Sequence, residues 1–304
     1  MRSSKRECNV GIVIGSRESK LAVTQSQMVI DFLRETHPDI SVELATFKTT
    51  GDKILDRRLD QIGGKGLFVK ELDAALRAHE CDYTVHSCKD LPMEVPDDLP
   101  LVCFSAREDP RDVMVFPQGK CEPDFSLPIG TSSRRREIQL RALLPEAKFE
   151  SVRGNVQTRL RKLDEGQFGA LVMAAAGLKR LGLGDRIGRY LEPEEMIPSA
   201  GQGVLAVQGR TDADVSLFDG FADETMAVAV GAERAFVARL DGGCSSPIAA
   251  HARVKGDIIE LLGLYYDEEG QVARRGRVEG AIGDAVAMAC DLADRLRAGE
   301  GETL

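Results

Sequence analysis

Three consecutive arginines, Arg134, Arg135 and Arg136, follow Gly130-Thr-Ser-Ser133 where a helix is about to begin. Ser132 or Ser133 makes a good N-cap, and the free N–H groups of a helix N-terminus hold anions. The helix dipole disfavours cations in that first turn, so three of them there break a local rule. A solvated basic face is the ordinary explanation of a charge run. A carboxylate or phosphate site, in which guanidinium forks and N–H groups act together, also accounts for the position. Three more junctions repeat the theme: Gly15-Ser-Arg17-Glu-Ser19, Arg153-Gly-Asn-Val-Gln-Thr-Arg159, and Arg180 at the end of Ala176-Gly-Leu-Lys-Arg180. Ligands of open α/β sheets bind beyond the carboxyl ends of the strands. Four arginine-bearing junctions therefore imply a polyanionic ligand between two domains.

Val85-His-Ser-Cys-Lys-Asp-Leu-Pro92 carries a different chemistry. A short apolar strand runs into Lys89 and Asp90, and Pro92 prevents its continuation. This puts a carboxylate at a strand's C-terminal end, where general acid–base groups are commonly placed; an exposed ion pair in an ordinary turn is the plainer alternative. Gly63-Gly-Lys-Gly-Leu-Phe68 reads as a mobile glycine-rich loop without the full G-x-x-x-x-G-K-[ST] pattern of a phosphate loop. In Leu240-Asp-Gly-Gly-Cys-Ser-Ser-Pro247, Cys244 follows two glycines, in backbone that another group can approach closely. A cysteine used for packing sits more naturally inside a helix or strand. Cys88, beside Lys89, reads as such a small buried filler.

The bulk properties narrow the partners. A chain of 304 residues implies two or three domains. Its net charge of −9 argues against a nucleic-acid partner engaged through a general basic surface. No apolar run approaches the ~20 residues that cross a bilayer, and residues 1–14 do not read as a secretory signal. A cytoplasmic protein without a membrane partner is the expectation. Seven cysteines with no C-x-x-C, and four histidines that do not cluster with them, predict neither a disulfide scaffold nor a metal site.

The elements that must position these residues follow from periodicity. Residues 10–14 predict a strand. The helix after it has Leu21, Met28, Val29, Phe32 and Leu33 on one face and stops at His37-Pro38. Residues 42–47 predict a strand, 68–78 a helix, and 83–86 and 101–105 two short strands. Beyond the charged turn Arg107-Glu-Asp-Pro-Arg-Asp112, the alternation repeats. Residues 129–133 enter a helix that ends at Leu144-Pro145, 149–152 read as a strand, 156–163 as a helix and 170–174 as a buried strand. Such β/α alternation predicts two α/β domains with largely parallel sheets. A glycine-punctuated connection at 198–208 leads into another strand. A long helix at 224–240 then precedes strands at 248–254, 258–266 and 272–278 and a last helix at 285–297, an antiparallel meander in a small α+β domain.

In combination these stretches resemble the porphobilinogen deaminase (hydroxymethylbilane synthase) family. The match runs in order along nearly the whole chain: Gly63-Gly-Lys-Gly-Leu-Phe-Val-Lys-Glu71, Val85-His-Ser-x-Lys-Asp-x-Pro92, Arg107-Glu-Asp-Pro-Arg-Asp112, Gly130-Thr-Ser-Ser-x-Arg-Arg136, Arg153-Gly-Asn-Val-x-Thr-Arg159, Ala176-Gly-Leu-Lys-Arg180, Gly201-Gln-Gly203 and Gly242-Gly-Cys244. The resemblance implies an α/β fold of three domains. Two are α/β domains of the type II periplasmic-binding-protein kind, at 1–105 with 204–219 and at 106–198. The third, at 223–304, is a small C-terminal α+β domain with an antiparallel three-stranded sheet.

It also implies a transferase of heme and tetrapyrrole biosynthesis, which condenses four porphobilinogen molecules with loss of ammonia on a dipyrromethane primer and releases hydroxymethylbilane. The primer would be held by a thioether to Cys244, with Lys89, Asp90, Ser133, Arg135 and Arg136 as its other contacts. Asp90 would be the catalytic carboxylate, assisting loss of ammonia and stabilising the cationic intermediate. Arg17, Ser19, Arg153, Arg159 and Arg180 would bind substrate, and Lys65 and Lys70 would lie on an active-site loop. A monomer functionally coupled to uroporphyrinogen III synthase is implied as well. Two departures stand out: Arg134 where the family commonly has leucine, and Ser245-Ser246 after the cysteine. A solute-binding protein or sensor of the same two-lobed architecture would explain the arginines alone, but gives no role to the third domain or to Cys244. A transferase acting on another carboxylate-rich substrate is the more distant alternative.

Overall fold

The computed structural model describes residues 11–53, 69–243 and 246–304. The expectations placed on Lys65 and on Cys244 lie outside the described residues.

In the first lobe, the apolar run after Gly11 forms β1 (Gly11–Arg17). Ser19 then caps α1 (Lys20–Thr36), its Oγ accepting from the Ala22 N–H and so satisfying one of the free donors of the first turn. His37 ends α1 before Pro38, which cannot continue a helix. β2 (Ser41–Phe47), α2 (Thr50–Lys53), α3 (Lys70–Arg77), β3 (Tyr83–Ser87) and β4 (Leu101–Phe104) follow. The chain crosses to a second lobe with β5 (Asp112–Val115), β6 (Ile129–Gly130), α4 (Arg134–Leu143), β7 (Phe149–Glu150), α5 (Val156–Asp164), β8 (Ala170–Ala174), α6 (Ala175–Arg180) and β9 (Ile187–Leu191). It then returns to the first lobe as β10 (Leu205–Gly209).

The two lobes share one topology. Their five-stranded sheets have the orders β2-β1-β3-β10-β4 and β7-β6-β8-β5-β9. Each has a parallel core with one antiparallel strand second from its edge, β10 against β3 and β4, and β5 against β8 and β9. The sheets are thus largely parallel, as the β/α alternation predicts, apart from one strand in each. Each antiparallel strand enters directly from the other lobe, so the crossing sets its direction instead of a βαβ turn. β5 begins at Asp112, which the sequence places in a charged turn, and β9 has no counterpart among the predicted strands.

The third domain comprises α7 (Glu224–Arg239), β11 (Ala249–Lys255), β12 (Ile258–Asp267), β13 (Val272–Ala281), α8 (Ala285–Arg297) and β14 (Glu302–Thr303). The three expected strands form the meander β11-β12-β13, and the two-residue β14 adds to its edge. α7 and α8 cover one face: Phe236 and Leu292 pack over Gly263, where a side chain would collide with the Phe236 ring. Two further clusters join this domain to the lobes. Ile138 and Ile197 of the second lobe meet Leu262, Leu264 and Ala273, and Cys88, Leu91 and Val204 of the first meet Val230 of α7. No helix among the described residues is long and apolar enough to cross a membrane.

Candidate active site

Parallel pairing of β1 with β3 sets Ile14 against Tyr83 and Gly15 against Thr84, so the carboxyl ends of the two strands lie side by side. β1 ends on Arg17 and leads to the Ser19 cap. β3 ends in a single 3-10 turn, Cys88–Asp90, that presents Lys89 and Asp90. Arg17, Ser19, Gln25, His86, Ser87 and Asp90 share a small pocket that opens to solvent. Asp90 is the only carboxylate among its lining residues in the described part of the chain. Gln25, buried in α1, donates from Nε2 to Ser87 Oγ at 2.8 Å. His86 lies 2.8 Å from Thr84 Oγ1 through Nε2. Burial, and then the Arg17 cation, push its pKa down to about 4, so the imidazole is neutral at physiological pH.

The opposing wall comes from the second lobe. Ser133 caps α4, its Oγ accepting from the Arg136 N–H at 3.4 Å. The three arginines then diverge. Arg135 and Arg136 turn inward and are almost fully buried, and both grip Asp112, which is 0% exposed. Arg135 Nη1 is 2.7 Å from Asp112 Oδ2, and Arg136 Nη2 and Nε are 2.8 and 3.0 Å from Oδ1. Burial alone would raise the Asp112 pKa; the two guanidinium groups override it and hold the carboxyl well below the usual range. The trio retains one positive charge. Arg134 turns outward, pairing through both terminal nitrogens with Glu268 in the β12–β13 turn at 2.6 and 2.7 Å. This settles which way the charge of Arg134 points.

One side chain connects the two walls. Lys89 donates to Gln202 Oε1 at 3.3 Å, and Gln202 Nε2 donates to Asp112 Oδ1 at 3.0 Å and to the Pro110 carbonyl at 2.7 Å. Gln202 lies on the return crossing between two glycines that no other residue replaces without strain. Gly201 has φ +72° and Gly203 φ +91°, and a Cβ would fall 2.6 Å from Cys88 Sγ and 2.2 Å from the Glu108 carbonyl oxygen, respectively. Burial and then the Arg136 cation push Lys89 down to about 8, against the attraction of Asp90 and Asp112.

Arg159 stands in the first turn of α5, capped by Asn155, with its Nε on the Gly154 carbonyl at 2.8 Å. Burial, and then the Arg136 and Arg153 cations, lower it to about 10, with Asp90 opposing. Asp90 of one lobe and Arg159 of the other therefore lie within each other's field. Arg180 ends α6 and reaches the crossing, donating to the Gly203 carbonyl at 2.6 Å. Burial lowers it to about 10, and its Nε is buried without a hydrogen-bond partner among the described residues. Arg153 is half-buried just before α5. Lys70, the first residue of α3, is exposed and does not line the pocket.

The structure thus brings Arg17, Ser19, Lys89 and Asp90 to one strand edge and sets Ser133, Arg135, Arg136, Arg153 and Arg159 across from them. The sequence reading missed Asp112, Gln202, Gln25 and His86. Gln202 carried a readable signal in its flanking glycines; Asp112 carried none, because its role depends on arginines that follow it by more than twenty residues.

A family model described as "Porphobilinogen deaminase, dipyromethane cofactor binding domain" matches residues 12–217, and one described as "Porphobilinogen deaminase, C-terminal domain" matches residues 227–298. The chain is 54% identical over 261 residues to a porphobilinogen deaminase of Acetivibrio thermocellus, covering 86% of this chain and 89% of the relative. It is 52% identical to that of Ruminiclostridium cellulolyticum, covering 94% and 97%, and 46% identical to that of Roseiflexus sp., covering 94% and 95%. Among solved structures, the periplasmic aliphatic sulphonate binding protein SsuA from Escherichia coli aligns with a TM-score of 0.40 at 12% identity, over 74% of this chain and 68% of that one.

Proposed function

The chain belongs to the porphobilinogen deaminase family, and from that membership we propose how its own residues carry the family's reaction. The activity is the stepwise condensation of porphobilinogen, with loss of ammonia, on a dipyrromethane primer, in tetrapyrrole synthesis. Each porphobilinogen unit carries an acetate and a propionate, so the primer and its extension are rows of carboxylates.

The residues present suit such a group. Lys89, Arg159 and Arg180 have no carboxylate within ion-pair distance among the described residues, and Arg180 Nε is a buried donor without an acceptor. Buried cations and donors without partners are costly, and carboxylates supply what they lack. When bound, the dipyrromethane supplies an electron-rich pyrrole α-carbon as the nucleophile.

The position of Asp90 as the pocket's only carboxylate among the described residues carries the reading. It accepts hydrogen bonds from pyrrole N–H groups and stabilises positive charge as ammonia leaves, with cations on either side to hold substrate carboxylates. Neutral His86 adds no competing charge beneath that site. Arg17 and Ser19, at the mouth of the same pocket, bind substrate carboxylates, joined from the other lobe by Arg153, Arg159 and Arg180. Lys89, Ser133 and the singly charged cluster of Arg135, Arg136 and Asp112 hold the primer. Cys244 provides its thioether anchor, and Lys65 belongs to the covering loop; Lys70, expected on that loop, instead opens α3.

The proposed domains are 1–105 with 204–219, 106–198 and 223–304. Family membership is the support for a cytoplasmic monomer coupled to uroporphyrinogen III synthase. The test is turnover: purified protein given porphobilinogen releases ammonia and hydroxymethylbilane, and protein that consumes no porphobilinogen would overturn the assignment.

A further inference from the structure

The third domain reaches the turn that carries Asp90. Cys88 and Leu91, on either side of Lys89 and Asp90, are each 1% exposed and pack in one cluster with Val230 of α7. One helical turn beyond Val230, Arg234 donates from Nη2 to the carbonyl oxygens of Pro92 and Met93, at 2.7 and 2.8 Å. These carbonyls follow Asp90 by two and three residues. Among the described residues Arg234 Nη1 is buried with no oxygen or nitrogen acceptor and Arg234 forms no ion pair, though its guanidinium acts on the neighbouring Cys88 thiol. An unpaired buried donor is costly, so this arginine is a poor device for stability alone. A rigid guanidinium on two successive carbonyls does, however, fix the path of the backbone that bears them.

α7 is itself immobilised at that level. The neighbouring Glu233, 0% exposed, accepts from the Gly201 N–H at 2.6 Å, from Arg107 Nη2 at 2.8 Å and from the Ala252 N–H at 2.7 Å. It ties the helix to both interlobe crossings and to β11.

We propose that Arg234 is a positioning residue for Asp90: α7 of the third domain seats the turn that carries the catalytic carboxylate, through Val230 beneath it and the Arg234 fork on the carbonyls that follow it. The proposal rests on the reading of Asp90 as the catalytic group. α7 also leads, four residues past Leu240, to Cys244, so one helix adjoins both the catalytic turn and the loop that contains the proposed primer anchor.

The experiment is a double-variant cycle on purified protein whose bound primer is verified by intact mass. Arg234→Gln is expected to keep the primer and lower kcat by about 10- to 100-fold, the scale of an ångström-level misplacement of a catalytic group, with KM changed less than about threefold. Arg234→Lys, which keeps the charge and a donor group but not the rigid fork, is expected to lose less. If Arg234→Gln does not accumulate as folded, loaded protein, Arg234→Lys carries the comparison. In an Asp90→Glu background, whose displaced carboxylate no longer benefits from the seat, the further loss is expected to shrink to about threefold or less, because residues that act through one another are non-additive. Wild-type kcat in both Arg234 variants, or losses that multiply in the double variants, would overturn the proposal. Near-normal turnover in Asp90→Ala would instead remove the reading beneath it, and the Arg234 result does not affect that measurement.

Discussion

Arg135 and Asp112 form a buried ion pair, 2.7 Å from Nη1 to Oδ2, with neither side chain more than 5% exposed. Arg136 shares the same carboxylate from the other side. A motif of adjacent arginines that reads as two free anion receptors is therefore a structural cluster with one net charge, whose orientation depends on Asp112.

Asp112→Asn leaves two buried cations facing an amide. Removing one partner of a buried pair costs about 3–5 kcal/mol, so chemical denaturation is expected to show a loss of that order. The pH dependence has a definite sign. The folded-state pKa of Asp112 lies below its unfolded value of about 3.9, so its contribution is complete above that value and is lost as pH falls through the folded pKa. The wild type should lose stability below about pH 4 more steeply than the variant. Parallel acid profiles would show that the cluster is not an acid-sensitive element.

Asp90→Ala is expected to retain the fold by circular dichroism while turnover falls by about 10²- to 10⁴-fold, the range for a positioned acid–base group. Near-normal activity would remove Asp90 from the chemistry.

Intact mass tests the anchor. Wild-type protein should exceed its sequence mass by two porphobilinogen-derived pyrroles, and Cys244→Ser should lack that increment. An unmodified wild type with full turnover would dispose of the covalent primer.

Two arginines offer a contrast in direction. Arg159→Gln removes a cation facing the cleft and should raise KM about tenfold or more, the equivalent of one charge-assisted hydrogen bond of about 1.5–3 kcal/mol. Arg134→Leu breaks the pair with Glu268, whose side chain is 55% exposed. It should leave KM within about twofold and change stability by no more than about 1 kcal/mol. A large rise in KM from Arg134→Leu would place that arginine in the cleft after all.

The local grammar of the site was legible from the chain. Ser133 caps its helix as its residue type and position predict. The Lys89-Asp90 turn ends a strand, and arginines stand at the strand–helix junctions, because capping and strand length are decided within a few residues. The meander of the third domain was readable for the same reason, from alternation and turn residues.

Tertiary structure alone decided which arginines turn inward and what they pair with. Arg135 and Arg136 look alike with Arg134 in sequence, yet they are claimed by a carboxylate more than twenty residues away, while Arg134 pairs with one 134 residues distant. The antiparallel β5 and β10, the Gln202 bridge from Lys89 to Asp112, and the Arg234 clamp on the Asp90 turn likewise depend on two crossings between lobes. A residue's type and its neighbours in the chain specify what it is able to bind. What it does bind is settled when burial brings distant segments together, because an unpaired charge or polar group inside the protein costs more than any local preference.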